Sequence, residues 1–222
     1  VAVVCYINST AELKRYSDVC VTSANAVQIV KALPNRNIFF IPDRNLAHFV
    51  AEQVPEKHFI FNEGFCPVHE NIQTDQIRKA KKEHPDAEVL THPECMQRVL
   101  EMSDYVGSTS GIIKYAGESS ADEFIICTEN GVIAELEKRY PDKKFYFTDT
   151  VPVCGDMKLI TLEKILHVLK TGENEVTLDE GLREKSEKPL KEMLKLAKQA
   201  EQEKKDCNST GSSGRKKRDK MD

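Results

Sequence analysis

Two cysteines in this 222-residue chain sit where thiols do chemistry. Cys66 lies in Gly64-Phe65-Cys66-Pro67-Val68-His69, and Cys154 lies in Pro152-Val153-Cys154-Gly155-Asp156-Met157. Gly and Pro mark both stretches as loops. Loop cysteines suit metal ligation. Thiolates hold iron–sulfur clusters, and a thiolate with the neutral imidazole of His69 suits zinc as well. Two cysteines alone leave the metal open. His92 and Glu94, in His92-Pro93-Glu94-Cys95, put an imidazole and a carboxylate on one loop. Such groups exchange protons near neutral pH. The Tyr6 hydroxyl can donate to a substrate oxygen or relay a proton, and Asn8 is a neutral donor suited to a carboxylate. Ser23 and Thr109 each fall at a strand–helix turn, where a hydroxyl beside free N–H groups holds an anion. Each of these residues also has an ordinary reading. Asn8, Ser23 and Thr109 are good helix caps, and Tyr6 and His92 could be packed side chains with local partners.

The elements that must position these residues form a repeat. Apolar runs at Val1–Ile7, Val19–Thr22, Ile38–Ile41, His58–Phe61, Glu88–Thr91, Tyr105–Gly107, Phe124–Cys127 and Lys144–Phe147 read as strands. Amphipathic stretches at Ala11–Tyr16, Asn25–Leu33, Asn45–Gln53, Pro93–Met102 and Gly131–Arg139 read as helices between them. That alternation predicts an α/β fold with parallel sheets. Displaced by about 86 positions, the chain matches itself. Tyr6-Ile7-Asn8 falls on His92-Pro93-Glu94, Asp18 on Asp104, Ser23 on Thr109 and Asp43 on Glu129. Pro55 and Lys57 fall on Pro141 and Lys143, and a slip of two residues brings Cys66 onto Cys154. Matched polar residues fall at strand C-termini, the edge where parallel sheets bind ligands. One unit used twice predicts a polar pocket with cysteines at its base. The expected boundary lies near Pro85-Asp86. A third copy upstream would close a ring, and upstream sequence is expected because Val1 begins mid-strand.

Composition narrows the classes. Hydrophobic residues make up 40% and the formal net charge is −4. This argues against a nucleic-acid partner held by bulk charge. No apolar run reaches the roughly 18 residues of a membrane span. Seven cysteines, at 5, 20, 66, 95, 127, 154 and 207, show no CxxC spacing. An odd number without secretory features predicts a reducing cytoplasm rather than a disulfide scaffold. Cys5, Cys20 and Cys127 lie in apolar runs and read as core.

Six segments occur in one order: Tyr6-Ile7-Asn8-Ser9, Gly64–His69, His92–Cys95, Gly107-Ser108-Thr109-Ser110-Gly111, Thr128-Glu129-Asn130-Gly131 and Cys154-Gly155-Asp156-Met157. In this, residues 1 to about 200 resemble the quinolinate synthase family. The resemblance implies three-layer α/β domains repeated around a pseudo-threefold axis, each giving one cysteine to a central [4Fe-4S] cluster. Cys66 and Cys154 match the second and third ligands, and the first is expected upstream of Val1. It implies condensation of iminosuccinate with dihydroxyacetone phosphate to quinolinate, an open iron acting as Lewis acid. Tyr6, His92 and Glu94 are the implied catalytic residues. Tyr6, Ile7, Asn8, Ser23, His69, His92, Pro93, Glu94 and Thr109 are the implied substrate contacts. Functional coupling to L-aspartate oxidase or aspartate dehydrogenase follows from the same likeness. The rival readings are a fragment that only binds a ligand or partner, and a zinc hydrolase built on Cys66, His69 and Cys154.

The expected organisation is a second repeat over 1–85, a third over 86–157, C-terminal helices over 158–200 and a disordered tail over 201–222. Leu162–Leu169 and Leu182–Ala200 read as amphipathic helices. The resemblance places the terminal helix against the family's first domain. Leu190, Met193, Leu194 and Ala197 are therefore expected to form an exposed apolar stripe. The basic run Arg215-Lys216-Lys217-Arg218 reads as part of the solvated tail.

Overall fold

The computed structural model describes residues 1–211. Among these residues, eight short strands form two sheets of four. The first holds β1 (Ala2–Tyr6), β2 (Val19–Val21), β3 (Asn37–Ile41) and β4 (His58–Phe61), in the order β2-β1-β3-β4. The second holds β5 (Glu88–Thr91), β6 (Tyr105–Val106), β7 (Glu123–Cys127) and β8 (Lys144–Tyr146), in the order β6-β5-β7-β8. Every pairing is parallel. The repeated α/β class read from the sequence is therefore the class observed, and the two sheets share one strand order.

Among the described residues, ten α-helices connect and follow the strands. They are α1 (Ala11–Lys14), α2 (Ala26–Ala32), α3 (Arg44–Gln53), α4 (Pro67–Glu70), α5 (Thr74–Glu83), α6 (Gln97–Leu100), α7 (Thr109–Glu118), α8 (Ile133–Arg139), α9 (Leu162–Thr171) and α10 (Glu180–Gly211). In the second unit, neighbouring residues of one strand serve opposite faces, as strand geometry requires. Val89 and Ile125 pack with Ile72, Ile77 and Val99 on one side. Leu90, Phe124 and Ile126 pack with Ile112 and Leu136 on the other. Helices thus cover both faces, which explains why central strands read as unbroken apolar runs.

The matched residues perform matched structural tasks. Asp18 Oδ2 accepts the Val3 N–H at 2.7 Å, and Asp104 Oδ2 accepts the Val89 N–H at 2.7 Å. Lys57 Nζ donates to the carbonyls of Leu33 and Asn35. Lys143 Nζ donates to those of Ala116 and Ser119 at 2.8 Å each. In both units this lysine ties the end of one helix to the start of an edge strand.

Three departures have physical reasons. The helix expected over Pro93–Met102 forms only at Gln97–Leu100. Pro93 follows His92 in a turn closed by Cys95 N–H to the His92 carbonyl, 3.0 Å, and the helix starts after it. The stripe on the terminal helix is not open. Met193 is buried in the first unit's core with Leu190 and Leu196 against it, and only Leu194 of the apolar set faces out. β2 is an edge strand, and α10 lies over it and over α1 and α2. α10 also continues through Gly211, past Glu201, because Glu201–Asp206 contains strong helix formers and no breaker. The remainder of the expected disordered tail, with its basic run, lies outside the described residues. Among the described residues, no helix is long and apolar enough to cross a membrane.

Candidate functional site

β1 and β5 occupy equivalent places in their sheets, and their C-terminal ends carry Tyr6 and His92. Backbone bonds beyond the strands fix both tips: Ile7 N–H to the Val21 carbonyl at 2.8 Å, and His92 N–H to that of Cys127 at 3.1 Å. The two tips open on one cavity of about 750 Å³. Tyr6, Asn8, Ser23, His69, His92, Glu94 and Thr109 line it, with Cys66 and Cys154. Ile7 and Pro93 are not among its lining residues. Ile7 packs on the first unit's core and Pro93 is buried in the turn.

The cysteine loops enter this cavity by different routes. Gly64 precedes Cys66 where the chain presses on β3's exit. A Cβ there would collide with the Pro42 carbonyl oxygen, so only glycine fits. Cys66 then caps α4, which presents His69 one turn on. Cys154 sits between Pro152 and the short 3₁₀ turn Met157–Leu159. Among the described cysteines, Cys5, Cys20, Cys95 and Cys127 are buried, whereas Cys66 and Cys154 are half-buried. Burial pushes the Cys127 thiol up to about 12, which marks it as inert core.

A relay of polar groups crosses the cavity wall. Cys66 Sγ lies 3.2 Å from His69 Nδ1, and His69 Nε2 lies 3.1 Å from Thr128 Oγ1. Glu94 Oε2 lies 3.5 Å from His69 Nδ1 and 3.1 Å from His92 Nδ1. The two imidazoles stack at 4.7 Å between centroids. The Tyr6 phenol lines the same cavity and feels the charge of this Glu94. Matched positions of the two units thus converge on one carboxylate. Burial pushes Glu94 up, but its bond to His92 and the two neighbouring imidazoles leave it below the ordinary carboxylate range. Burial and the neighbouring His92 hold His69 down at about 4, so it is neutral at pH 7. Burial and the charge of Glu94 push the Tyr6 phenol up, so it stays a donor.

The other predicted residues fill the rim. Thr109 opens α7, whose cap Ser108 accepts the Gly111 N–H at 3.2 Å. Ser23 lines the same cavity as Tyr6. Asn8 closes the first unit's side. Three residues that hold the site carry no functional assignment from sequence. Thr128 orients His69. Asn45 Nδ2 donates to the Glu94 carbonyl at 2.9 Å and to Glu70 Oε2 at 2.8 Å, tying α3 to the β5 tip. Asp43 holds the Cys66 loop. Asp43 left a sequence signal in its match to Glu129, and Thr128 in the segment Thr128-Glu129-Asn130-Gly131; Asn45 left none.

The donor set is suited to a metal centre. Cys66, His69 and Glu94 each place a ligand atom within 4.8 Å of the others. Two half-buried thiols, one from each unit, face the same space, an arrangement that thiolate ligation of a cluster requires. The zinc triad expected from sequence used Cys154; in the structure Glu94 takes that third place.

The model of a family described as "Quinolinate synthetase A protein" matches residues 1–195. A protein named quinolinate synthase from Clostridioides difficile (strain 630) is 48% identical over 184 residues, 83% of this chain and 60% of that protein. One from Fusobacterium nucleatum subsp. nucleatum is 48% identical over 190 residues, covering 86% and 63%. Quinolinate synthase 2 of Methanosarcina acetivorans is 48% identical over 189 residues, covering 85% and 61%. The chain therefore spans about three-fifths of the length of these relatives.

Proposed function

Because this chain belongs to the quinolinate synthetase A protein family, we propose that it carries two α/β units of a quinolinate synthase. Such an enzyme condenses iminosuccinate with dihydroxyacetone phosphate, giving quinolinate, phosphate and two waters. The units are 1–85 and 86–157, followed by C-terminal helices, with a third unit completing a pseudo-threefold ring. Cys66 and Cys154 would hold a [4Fe-4S] cluster, its third cysteine coming from the part of the relatives' length outside this chain. When bound, such a cluster supplies an iron that acts as Lewis acid on a substrate oxygen.

The chain's own residues supply the rest. Glu94 and His92 form the proton-transfer pair, in hydrogen-bond reach of each other and of one cavity. Tyr6, kept protonated by burial, donates to a substrate oxygen. Asn8, Ser23 and Thr109 receive the carboxylates and phosphate of two anionic substrates. His69, neutral, holds Cys66 and excludes a second charge from the wall. Supply of iminosuccinate by L-aspartate oxidase or aspartate dehydrogenase, and a cytoplasmic setting, belong to the same proposal. The observation that carries it is the convergence of both repeats' tips and both loop cysteines on one cavity. The test is an anaerobic assay of the full-length protein with both substrates. Quinolinate and phosphate should appear in equal amounts. An iron-loaded enzyme that releases neither would sink the assignment.

One observation favours a second reading. Cys66, His69 and Glu94 lie close enough to hold a single zinc ion. Purified protein that carries one zinc and neither iron nor sulfide would favour that reading.

A further inference from the structure

Asp43 and Glu129 match in the repeat, and nothing in the reaction above uses them. Each is buried, and each carboxylate is divided in the same way. Asp43 Oδ1 accepts the Leu46 N–H at 2.7 Å and so caps α3, while Oδ2 accepts the backbone N–H of Cys66 at 2.9 Å. Glu129 Oε2 accepts the Gly131 N–H at 2.7 Å and so caps the 3₁₀ turn Asn130–Val132, while Oε1 accepts the backbone N–H of Cys154 at 3.3 Å. One oxygen thus fixes the acid to its own helix start, and the other reaches across to a cysteine. The reach spans 23 positions in one unit and 25 in the other. The longer loop is met by the side chain with one more methylene. A Cβ on Gly131 would stand 2.8 Å from Glu129 Oε2, so a larger residue there would push the carboxylate aside. Lys158 Nζ, four residues past Cys154, adds an ion pair to Glu129 at 2.9 Å.

From this recurrence we infer that Asp43 and Glu129 are positioning residues, a pair of carboxylate clamps that hold the Cys66 and Cys154 loops with their thiols toward the shared cavity. The reason is physical. A loop cysteine has no ladder to fix its backbone. A hydrogen bond to a charged acceptor is about twice as strong as a neutral one. Anchoring the other oxygen at a helix start leaves the acid no freedom to follow the loop. The clamp rests on this geometry; its use in holding a cluster rests on the quinolinate synthase reading.

The test separates the two. In the metal-free 222-residue chain, iodoacetamide labelling of each cysteine is followed by mass spectrometry. Rates are compared at the plateau of the pH profile, where the thiol is ionised and access limits the rate. D43N keeps the side chain's size and one acceptor, and E129Q does the same. D43N should speed labelling of Cys66 roughly tenfold, the loss of one hydrogen bond to a charged group. It should leave Cys154, Cys95 and Cys127 at wild-type rates. E129Q should do the reverse, speeding Cys154 alone. Unchanged rates at both loops overturn the clamp. So does a common rise at Cys66, Cys154 and the buried cysteines, since that is general loosening. Anaerobic reconstitution of the full-length protein with iron and sulfide gives the second readout. Both variants should lose iron to a chelator faster than wild type. A wild type that takes up no iron fails the cluster reading while leaving the labelling result to stand.

Discussion

Glu94 is the residue on which the two units converge, so its replacement is the sharpest probe of the proton-transfer assignment. Glu94→Gln keeps the shape and removes the charge that sits 3.1 Å from His92 Nδ1 and 3.5 Å from His69 Nδ1. In the full-length enzyme kcat should fall by roughly 10²–10⁴, the usual worth of a general acid or base. Steady-state quinolinate formation checks this, and a kcat within a few-fold of wild type removes Glu94 from the chemistry. Asn8 lines the same cavity from the first unit. Asn8→Ala should raise KM for a carboxylate substrate by about tenfold, one hydrogen bond to a charged group, with kcat little changed. Much of this site was legible. Tyr6, His92, Ser23, Thr109, Cys66 and Cys154 stood out because a repeat conserves its own strand tips. Asn45 did not, and Thr128 entered only as part of its segment. Their contacts join residues 49 and 59 positions apart, and they have no partner in the repeat that would mark them. Ile7 and Pro93 were carried along by their neighbours; Ile7 packs on the first unit's core and Pro93 is buried in the turn after β5.

At the scale of elements, the repeat is held by paired devices rather than by similar cores. Lys57 and Lys143 each tie a helix end to an edge strand through two carbonyls. Lys143→Met keeps the side chain's length but removes both bonds and the ammonium that sits over Phe124. It should cost about 1–3 kcal/mol, because two carbonyls lose a charged donor. Lys57→Met should cost a similar amount in the first unit. Urea unfolding of the two variants measures both, and a change below about 0.5 kcal/mol in either would show that solvent replaces the ammonium. The strands were readable because buried parallel strands are short apolar runs flanked by turn residues. Helix limits were not. α1 and α6 are single turns whose amphipathic pattern extends beyond the residues that form the helix. Packing, not periodicity, decides where such short helices stop.

At the scale of the molecule, the apolar surface lies on a different helix from the one expected. α10 covers the β2 edge of the first sheet. Among the described residues α9 buries no side chain, with Leu162 81% and Leu169 78% exposed. Sequence alone could not choose between the two amphipathic helices, because both carry an apolar face and only the folded sheet shows which edge is open. A contiguous apolar face of this kind drives association. The 222-residue chain should self-associate with rising concentration, and Leu166→Lys with Leu169→Lys should return it to monomer. Light scattering across a dilution series checks this; a wild type that stays monomeric throughout would show the face is tolerated in water. Larger still is the question of what the two loop cysteines hold. The most direct measurement is the metal and sulfide content of the full-length protein reconstituted without oxygen, compared with Cys66→Ser and Cys154→Ser. The account predicts iron and acid-labile sulfide in equal amounts in the wild type, and loss of both in each variant. Iron and sulfide retained in either variant, or zinc in place of both, would contradict it.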